Sequence, residues 1–277
     1  MRFSHALLAL DLSASSDDLV HAMPDVRDLG VKKVTLLTIV TKPYPDGHEK
    51  YERSSYESRL KNYAQELEQA GIECEWKLMS EEGGYTPVLI LNEIQELGCD
   101  LLIIGNRGHN YISDVLLGSV ASEVIQRTHV PVLLLRISKK PEFGGVSIAA
   151  DLTKSILVPT DFSENADQVL DLFKADQFQN SHITVLNVQT MPKPGKQDKL
   201  DVRVKILKDF GINAVQSETK HGNIWVEITE YADKNSISLI VMGSQGKGQL
   251  EELFIGSNSL RVARYTRKPL LLIPSDN

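Results

Sequence analysis

The sequence predicts an α/β protein of two tandem Rossmann-like domains, each a five-stranded parallel sheet in the order 3-2-1-4-5 with helices on both faces. Three observations lead there. Short apolar runs alternate with longer amphipathic segments along all 277 residues, the pattern of strands joined by helical crossovers. The length exceeds the ~100 to 200 residues usual for one domain, so two are expected. One spacing of small residues also occurs twice: Gly105, Gly108 and Gly118-Ser119, then Gly243, Gly246 and Gly256-Ser257.

The elements follow in order. The first strand is expected at 6–10; with Arg2 before it this run faintly imitates a signal peptide, but Asp11 interrupts the apolar stretch too early for one. Further strands are expected at 33–40, 73–79, 100–104 and 130–135. In the second half they are expected at 155–158, 182–188, 214–219, 239–242 and 269–273. Most intervening segments are long enough for the helix that a right-handed parallel connection requires. The halves superpose by counting: Gly84 stands 21 residues before Gly105 and Gly222 stands 21 before Gly243, while Pro131 and Pro269 share the same offset, 269 − 131 = 138. Upstream the offset grows to 150 for Asp11 and Asp161 and to 149 for Ile39 and Val188. The extra length of the first half therefore falls after its second strand, in the polar, Pro- and Gly-containing stretch 41–58. Residues 138–154, with Pro141 and Gly144-Gly145, read as a linker, which divides the chain into domains 1–137 and 155–277. The last strands, 130–135 and 269–273, are too apolar to stay exposed at sheet edges. They are expected to pair antiparallel across a pseudo-two-fold axis, making the chain an intramolecular pseudo-dimer; a further homodimer is plausible beside it, though the pattern itself does not call for one.

Composition narrows the function classes. A 42% hydrophobic and 24% charged sequence is ordinary for a globular protein, and a net charge of -7 gives no concentrated positive face for nucleic acid. Cys74 and Cys99 have no CxxC spacing and no histidine at metal-ligand distance, which suits a reducing compartment and argues against structural zinc. No apolar run approaches the ~18 residues of a membrane span, so the expected location is the cytoplasm, with no membrane partner.

The repeated glycines carry the chemistry. In an open parallel sheet, ligands bind beyond the carboxyl ends of the strands, where strand order reverses. The loops after Gly105 and Gly243 leave the fourth strand there, and glycine lets backbone N–H groups approach an anion closely. Ser119 and Ser257 stand where the next helix starts, before Val120, Val124 and Ile125 in one copy and Leu260, Val262 and Ala263 in the other. A helix start offers unpaired N–H groups and a positive dipole end, a second phosphate cradle. Asp11 and Asp161 end the first strand; each can accept from a ribose hydroxyl or an adenine amine, or can cap the following helix. Ile39 and Val188 end the second strand, where they can pack on a purine. Arg107 and His109 are either phosphate contacts or solvated side chains, and Gln245 and Lys247 replace them in the second copy. Ile104 and Met242 read most simply as strand core, and Trp225 as helix packing.

At these residues the chain resembles the universal stress protein family, specifically its ATP-binding branch, whose loop G-x2-G-x9-G-[ST] both copies fulfil. The resemblance extends to residues 9–13 (Ala-Leu-Asp-Leu-Ser) and 159–163 (Pro-Thr-Asp-Phe-Ser), so it spans essentially the whole chain. It implies one adenine-nucleotide site from Asp11, Ile39 and the Gly105 loop, and another from Asp161, Val188 and the Gly243 loop. Two departures stand out: Ala9 where the second copy has the more typical Pro159, and Asn258 where the first has the more typical Val120.

The resemblance implies a stress-response or regulatory sensor of ATP, ADP or AMP, with Mg²⁺ as an optional companion and an unknown protein partner reading its state. No Walker sequence, Ser-His-Asp spacing, metal-binding His pair or general base beside the loop is visible, so no catalytic residue is named. A slow ATPase or other ATP-utilising enzyme is the second reading. A scaffold whose pockets are empty or hold another small ligand is the third.

Overall fold

The computed structural model describes residues 2–42, 53–82, 84–106, 117–137, 151–191, 196–245 and 255–275. In the first half, β1 (His5–Leu10), β2 (Lys33–Lys42), β3 (Glu73–Glu82), β4 (Leu101–Gly105) and β5 (Val132–Leu135) alternate with α1 (Ala14–His21), α2 (Met23–Arg27), α3 (Arg53–Gln69), α4 (Thr86–Leu97) and α5 (Ser119–Arg127). In the second, β6 (Ser155–Pro159), β7 (His182–Gln189), β8 (Ala214–His221), β9 (Leu239–Gly243) and β10 (Leu270–Ile273) alternate with α6 (Glu164–Gln168), α7 (Lys196–Asp209), α8 (Ile224–Lys234) and α9 (Ser257–Tyr265). Every expected strand is present among the described residues, with ends shifted by one to three positions.

All ten strands join one sheet in the order β3-β2-β1-β4-β5-β10-β9-β6-β7-β8, so each half has the 3-2-1-4-5 order. Within each half the pairs are parallel. The exception is β5 with β10, which run antiparallel with Leu133 opposite Leu271. These two leucines are equivalents at the offset of 138 (133 + 138 = 271), so the local two-fold passes through their pair. Neither strand is left as an exposed apolar edge, and both leucines are fully buried.

Successive residues of each strand point to opposite faces, and each face carries one core that runs through both halves. Leu8, Ile103, Leu133, Leu271 and Val241 lie on one side; Leu7, Leu102, Leu134, Leu270 and Ile240 lie on the other. On the first face the Gln177 side-chain amide donates to the Leu29 carbonyl at 3.0 Å, tying the halves together. One crossover departs from a simple helix: α6 stops after five residues and continues as 3-10 turns at Val169–Lys174 and Asp176–Phe178. Val169, Leu170, Leu172, Phe173 and Phe178 are all buried there, and the two phenyl rings meet edge to face at 5.2 Å. The tighter coil lets both sides of so apolar a segment reach the core.

Candidate functional site

The site is built where β1, β2 and β4, or β6, β7 and β9, reach their carboxyl ends. Ala9 pairs with Ile104, and Leu10 with Thr38, so Asp11, Ile39 and Gly105 emerge together at one end of the sheet. In each half the residue after the aspartate takes a left-handed backbone, Leu12 at φ 55 and Phe162 at φ 65. Such a conformation is costly for a branched or aromatic residue and needs surrounding support. Part of the support comes from the aspartate. Asp11 Oδ1 accepts from the Ser13 N–H at 3.0 Å and the Ser16 hydroxyl at 3.1 Å; Asp161 Oδ1 accepts from the Ser163 N–H at 3.0 Å and the Ser163 hydroxyl at 2.5 Å. The helix caps themselves are Ser13 and Ser163, whose hydroxyls accept from the Ser15 and Ala166 N–H groups. The aspartates therefore brace the turn and are not the caps.

A second support comes from α3 and α7. Arg59 donates to the carbonyls of Leu12 and Ser13 and to Asp17, which also receives the Tyr63 hydroxyl. Burial pushes the Asp17 carboxyl upward, but the bonds from Tyr63 and Arg59 outweigh it and hold it below the usual carboxylate range. In the second half Arg203 makes a forked contact with Asp167 and lies 5.0 Å over the Phe162 ring. The second strand adds a tie on the same face: Thr38 donates to the Leu10 carbonyl at 3.1 Å and Asn187 to the Thr160 carbonyl at 2.7 Å.

The glycine loops are closed at their base by the same bond in each half. Gly118 N–H donates to the Asn106 carbonyl at 2.9 Å and Gly256 N–H to the Ser244 carbonyl at 2.6 Å. Asn106 and Ser244 are themselves held by the Leu135 and Ile273 carbonyls, so the loop base is fastened to the central strands. Gly243 is packed tightly: a Cβ there would lie 3.2 Å from the Gln245 carbonyl oxygen and 3.3 Å from that of Asn165. Gly118 and Gly256 are the N-caps of α5 and α9, in extended backbone with no side-chain cap and no acidic residue in the first turn. The starts of α1 and α6, by contrast, carry serine caps and acids. The starts of α5 and α9 thus keep both their N–H donors and their dipole uncompensated by side chains.

In the second half these parts enclose a cleft of about 360 Å³. Pro159, Asp161, Val188, Met242, Gly243, Gly256, Ser257 and Asn258 line it, which brings together every second-half candidate among the described residues. Met242 is both strand core and cleft wall, being 7% exposed. Sequence reading missed Thr160, Ala166, Leu186, Ile224, Ile228 and Ser259, and it named Gln245 only as a replacement in the loop. Ile224 and Ile228 sit one turn apart on α8, whose start after Gly222 was the available signal; Leu186 was marked by standing two residues before Val188 on the same strand face. The cleft is apolar where Leu186, Val188, Ile224 and Ile228 meet, and polar at the α9 start. Trp225, beside it, stacks on Tyr265 at 4.7 Å and packs α8 on α9.

In the first half Ala9, Asp11, Ile39, Gly105, Gly118, Ser119 and Val120 occupy the matching positions on β1, β2, β4 and α5. Arg107, Gly108 and His109, and Gly246 in the second half, lie outside the described residues. Among the described residues no three His, Cys, Asp or Glu groups converge as a metal site. No helix of the described residues is long and apolar enough to cross a membrane.

Fold and site together define a tandem α/β protein of the doubly wound type, with an uncapped helix start facing an apolar slot at the switch point of the sheet. The profile of the Universal stress protein family matches residues 2–136 and again 153–274, so the chain belongs to that family as two consecutive copies. A universal stress protein of Methanocaldococcus jannaschii is 28% identical over 141 residues, which cover 44% of this chain and 83% of the relative. One of Mycobacterium bovis is 21% identical over 202 residues, covering 67% of this chain and 68% of the relative. The crystal structure of a universal stress protein from Archaeoglobus fulgidus superposes with a TM-score of 0.76 at 22% identity, covering 98% of this chain and 96% of that one, which shows a shared fold.

Proposed function

We propose that the protein binds adenine nucleotides, ATP, ADP or AMP, and acts in the cytoplasm as a stress-response or regulatory sensor whose occupancy is read by a protein partner. One observation carries this reading: the second-half cleft places an apolar slot, a carboxylate and an uncapped helix start within one cavity of nucleotide dimensions. The purine would lie against Val188 and Ile224, Asp161 would accept from the nucleoside, and the phosphate would meet the N–H groups of Ser257 and Asn258. The first-half residues Asp11, Ile39, Gly105, Gly118 and Ser119 would form the equivalent site, with the domains at 1–137 and 155–277. Mg²⁺ would enter only with a polyphosphate.

Calorimetric titration of the full chain with ATP, ADP and AMP, followed by recovery of the ligand, tests this. The expected result is saturable binding of one or two equivalents, with the nucleotide recovered unhydrolysed after hours. Absence of binding by all three at millimolar concentration overturns the reading, and multiple turnovers of ATP replace the sensor with an enzyme.

A further inference from the structure

β5 and β10 run antiparallel with Leu134 opposite Leu270, so the carboxyl end of β5 lies beside the amino end of β10. α9 is the crossover that leads into β10. Its first residues line the second cleft, and its last turn lies beside the carboxyl end of β5. Nine residues of helix span about 13 Å. One helix therefore reaches from the second cleft to the sheet end that carries the first-half site.

At that far end the first half takes hold of it. Arg136, the residue after β5, donates through Nη2 to the carbonyl of Ala263 in the last turn of α9. Carbonyls of a last turn lack an N–H four residues on, and a cation complements the negative end of the helix dipole. Arg136 is only 3% exposed, and a guanidinium buried that far is stable only where it is hydrogen-bonded, so this is a fixed contact. The next residue, Ile137, donates its N–H to Asn106 Oδ1 at 2.9 Å. Asn106 is also the residue whose carbonyl accepts the Gly118 N–H and closes the first glycine loop. A continuous set of contacts thus runs from the base of the first loop, through residues 137 and 136, to α9 and its start at Ser257.

The second half has no counterpart. Arg136 corresponds to Pro274 (136 + 138), which has no donor to offer α5. Asn106 corresponds to Ser244 (106 + 138), whose hydroxyl is buried without a hydrogen-bond partner among the described residues. Ile137 corresponds to Ser275 (137 + 138), whose hydroxyl turns to Gln245 instead. The seam holds on that side of the local two-fold without such a contact, so the contact on the other side has a use beyond joining the halves.

Building on the two-site adenine-nucleotide reading above, we propose that Arg136 couples the sites, so that the second cleft binds more tightly when the first is filled. A ligand that fixes the first loop steadies α9 through Asn106, Ile137 and Arg136, and less ordering is left for the second ligand to impose. Linkage makes the effect reciprocal: a filled second cleft tightens the first by the same factor. Arg136 lines no part of the second cleft and acts as a positioning residue, through α9.

The test is calorimetric titration of the full chain with whichever of AMP, ADP and ATP binds most tightly. Gly118→Asp leaves only the second cleft and Gly256→Asp only the first, which gives the two single-site constants. In the unsubstituted chain the overall constant for two equivalents should exceed their product by about fivefold or more. With Arg136→Met in all three proteins this factor should fall to about one, and Arg136→Lys, which restores a cation and a donor, should recover part of it. A role confined to folding would change Tm or the single-site constants and leave the factor as it was. Should Arg136→Met fail to fold, Asn106→Ser, which puts the second copy's residue at the loop base, breaks the same connection and should remove the factor too. Independent binding of two equivalents, binding of only one, or a factor unchanged by Arg136→Met, or by Asn106→Ser in its stead, overturns the coupling while nucleotide binding stands. No binding by any of the three nucleotides overturns that parent reading and this one with it.

Discussion

Replacing Gly256 by aspartate separates stability from ligand binding, because the two are expected to move in opposite directions. Gly256 is the N-cap of α9 at φ −72 and ψ 149, extended backbone that any residue adopts. An aspartate there can accept from the N–H groups of the first turn, which no side-chain cap now satisfies. Relative to glycine the capping gain is a few tenths of a kcal/mol, and the dipole adds a comparable amount, together about 0.5 to 1 kcal/mol. For a chain of this size that corresponds to a rise in Tm of roughly 1 to 4 °C. The same carboxylate occupies the donors assigned to the ligand phosphate and repels it. Losing charged hydrogen bonds of about 1.5 to 3 kcal/mol, plus the repulsion, predicts binding at this cleft at least about 100-fold weaker. Gly118→Asp should behave alike in the first half, where a Cβ would sit 3.6 Å from the Asn106 carbonyl oxygen, an ordinary contact. Differential scanning calorimetry and isothermal titration of the same preparations read both quantities. Unchanged affinity in both variants would refute the assignment of the helix starts as phosphate sites, and a fall in Tm of several degrees would refute the description of them as open caps.

Two further outcomes follow from the core. Leu271→Ala removes a fully buried side chain at the local two-fold, opposite Leu133, and should cost about 2 to 5 kcal/mol in denaturant unfolding; a change under ~1 kcal/mol would mean the β5–β10 seam contributes little. Burial pushes the Cys74 thiol up to about 12 and the Cys99 thiol up to about 11, so both should resist alkylation at pH 8 until the protein is unfolded. The folded state holds these protons more tightly than the unfolded chain does. This contribution to stability is therefore complete below the unfolded thiol range near ~8.5, and it is lost as pH rises through 11 and 12. Rapid alkylation of native protein would contradict the burial of either thiol.

The strands were legible because their signal is local. Runs such as residues 101–104 and 239–242 are apolar on every residue, as a strand covered on both faces must be. The β5–β10 seam was legible for a related reason: residues 130–135 and 269–273 could not remain at an edge. The second-half site was legible in part, because Asp161, Val188, Gly243 and Gly256 each stand at the end of an element and repeat an equivalent of the first half, at offsets of 149 to 150 before the extra stretch and 138 after it. The α8 wall was not, since Ile224 and Ile228 look in sequence like any buried helix face, and only the packing of α8 over β7 and β8 turns them to the cleft. The arginine supports were hidden for a different reason. Gly71 and Gly211, both at positive φ after α3 and α7, set an offset of 140 there (211 − 71), which puts Arg203 opposite Tyr63 rather than opposite Arg59. The two halves fasten the same turn with arginines from non-equivalent positions, and comparison at a fixed offset passes over them. The break of the β6–β7 crossover into 3-10 turns was likewise invisible, because a buried apolar segment such as residues 169–173 fits an α-helix equally well in sequence.

A crystal structure of the full chain grown with AMP tests the central claim most directly. The account predicts the purine between Val188 and Ile224, the ribose at Asp161 and the phosphate on the N–H groups of Ser257 and Asn258. Nucleotide bound away from both of these sheet-end sites, or a second-half cleft that stays empty at saturating AMP while the protein remains folded, would contradict it.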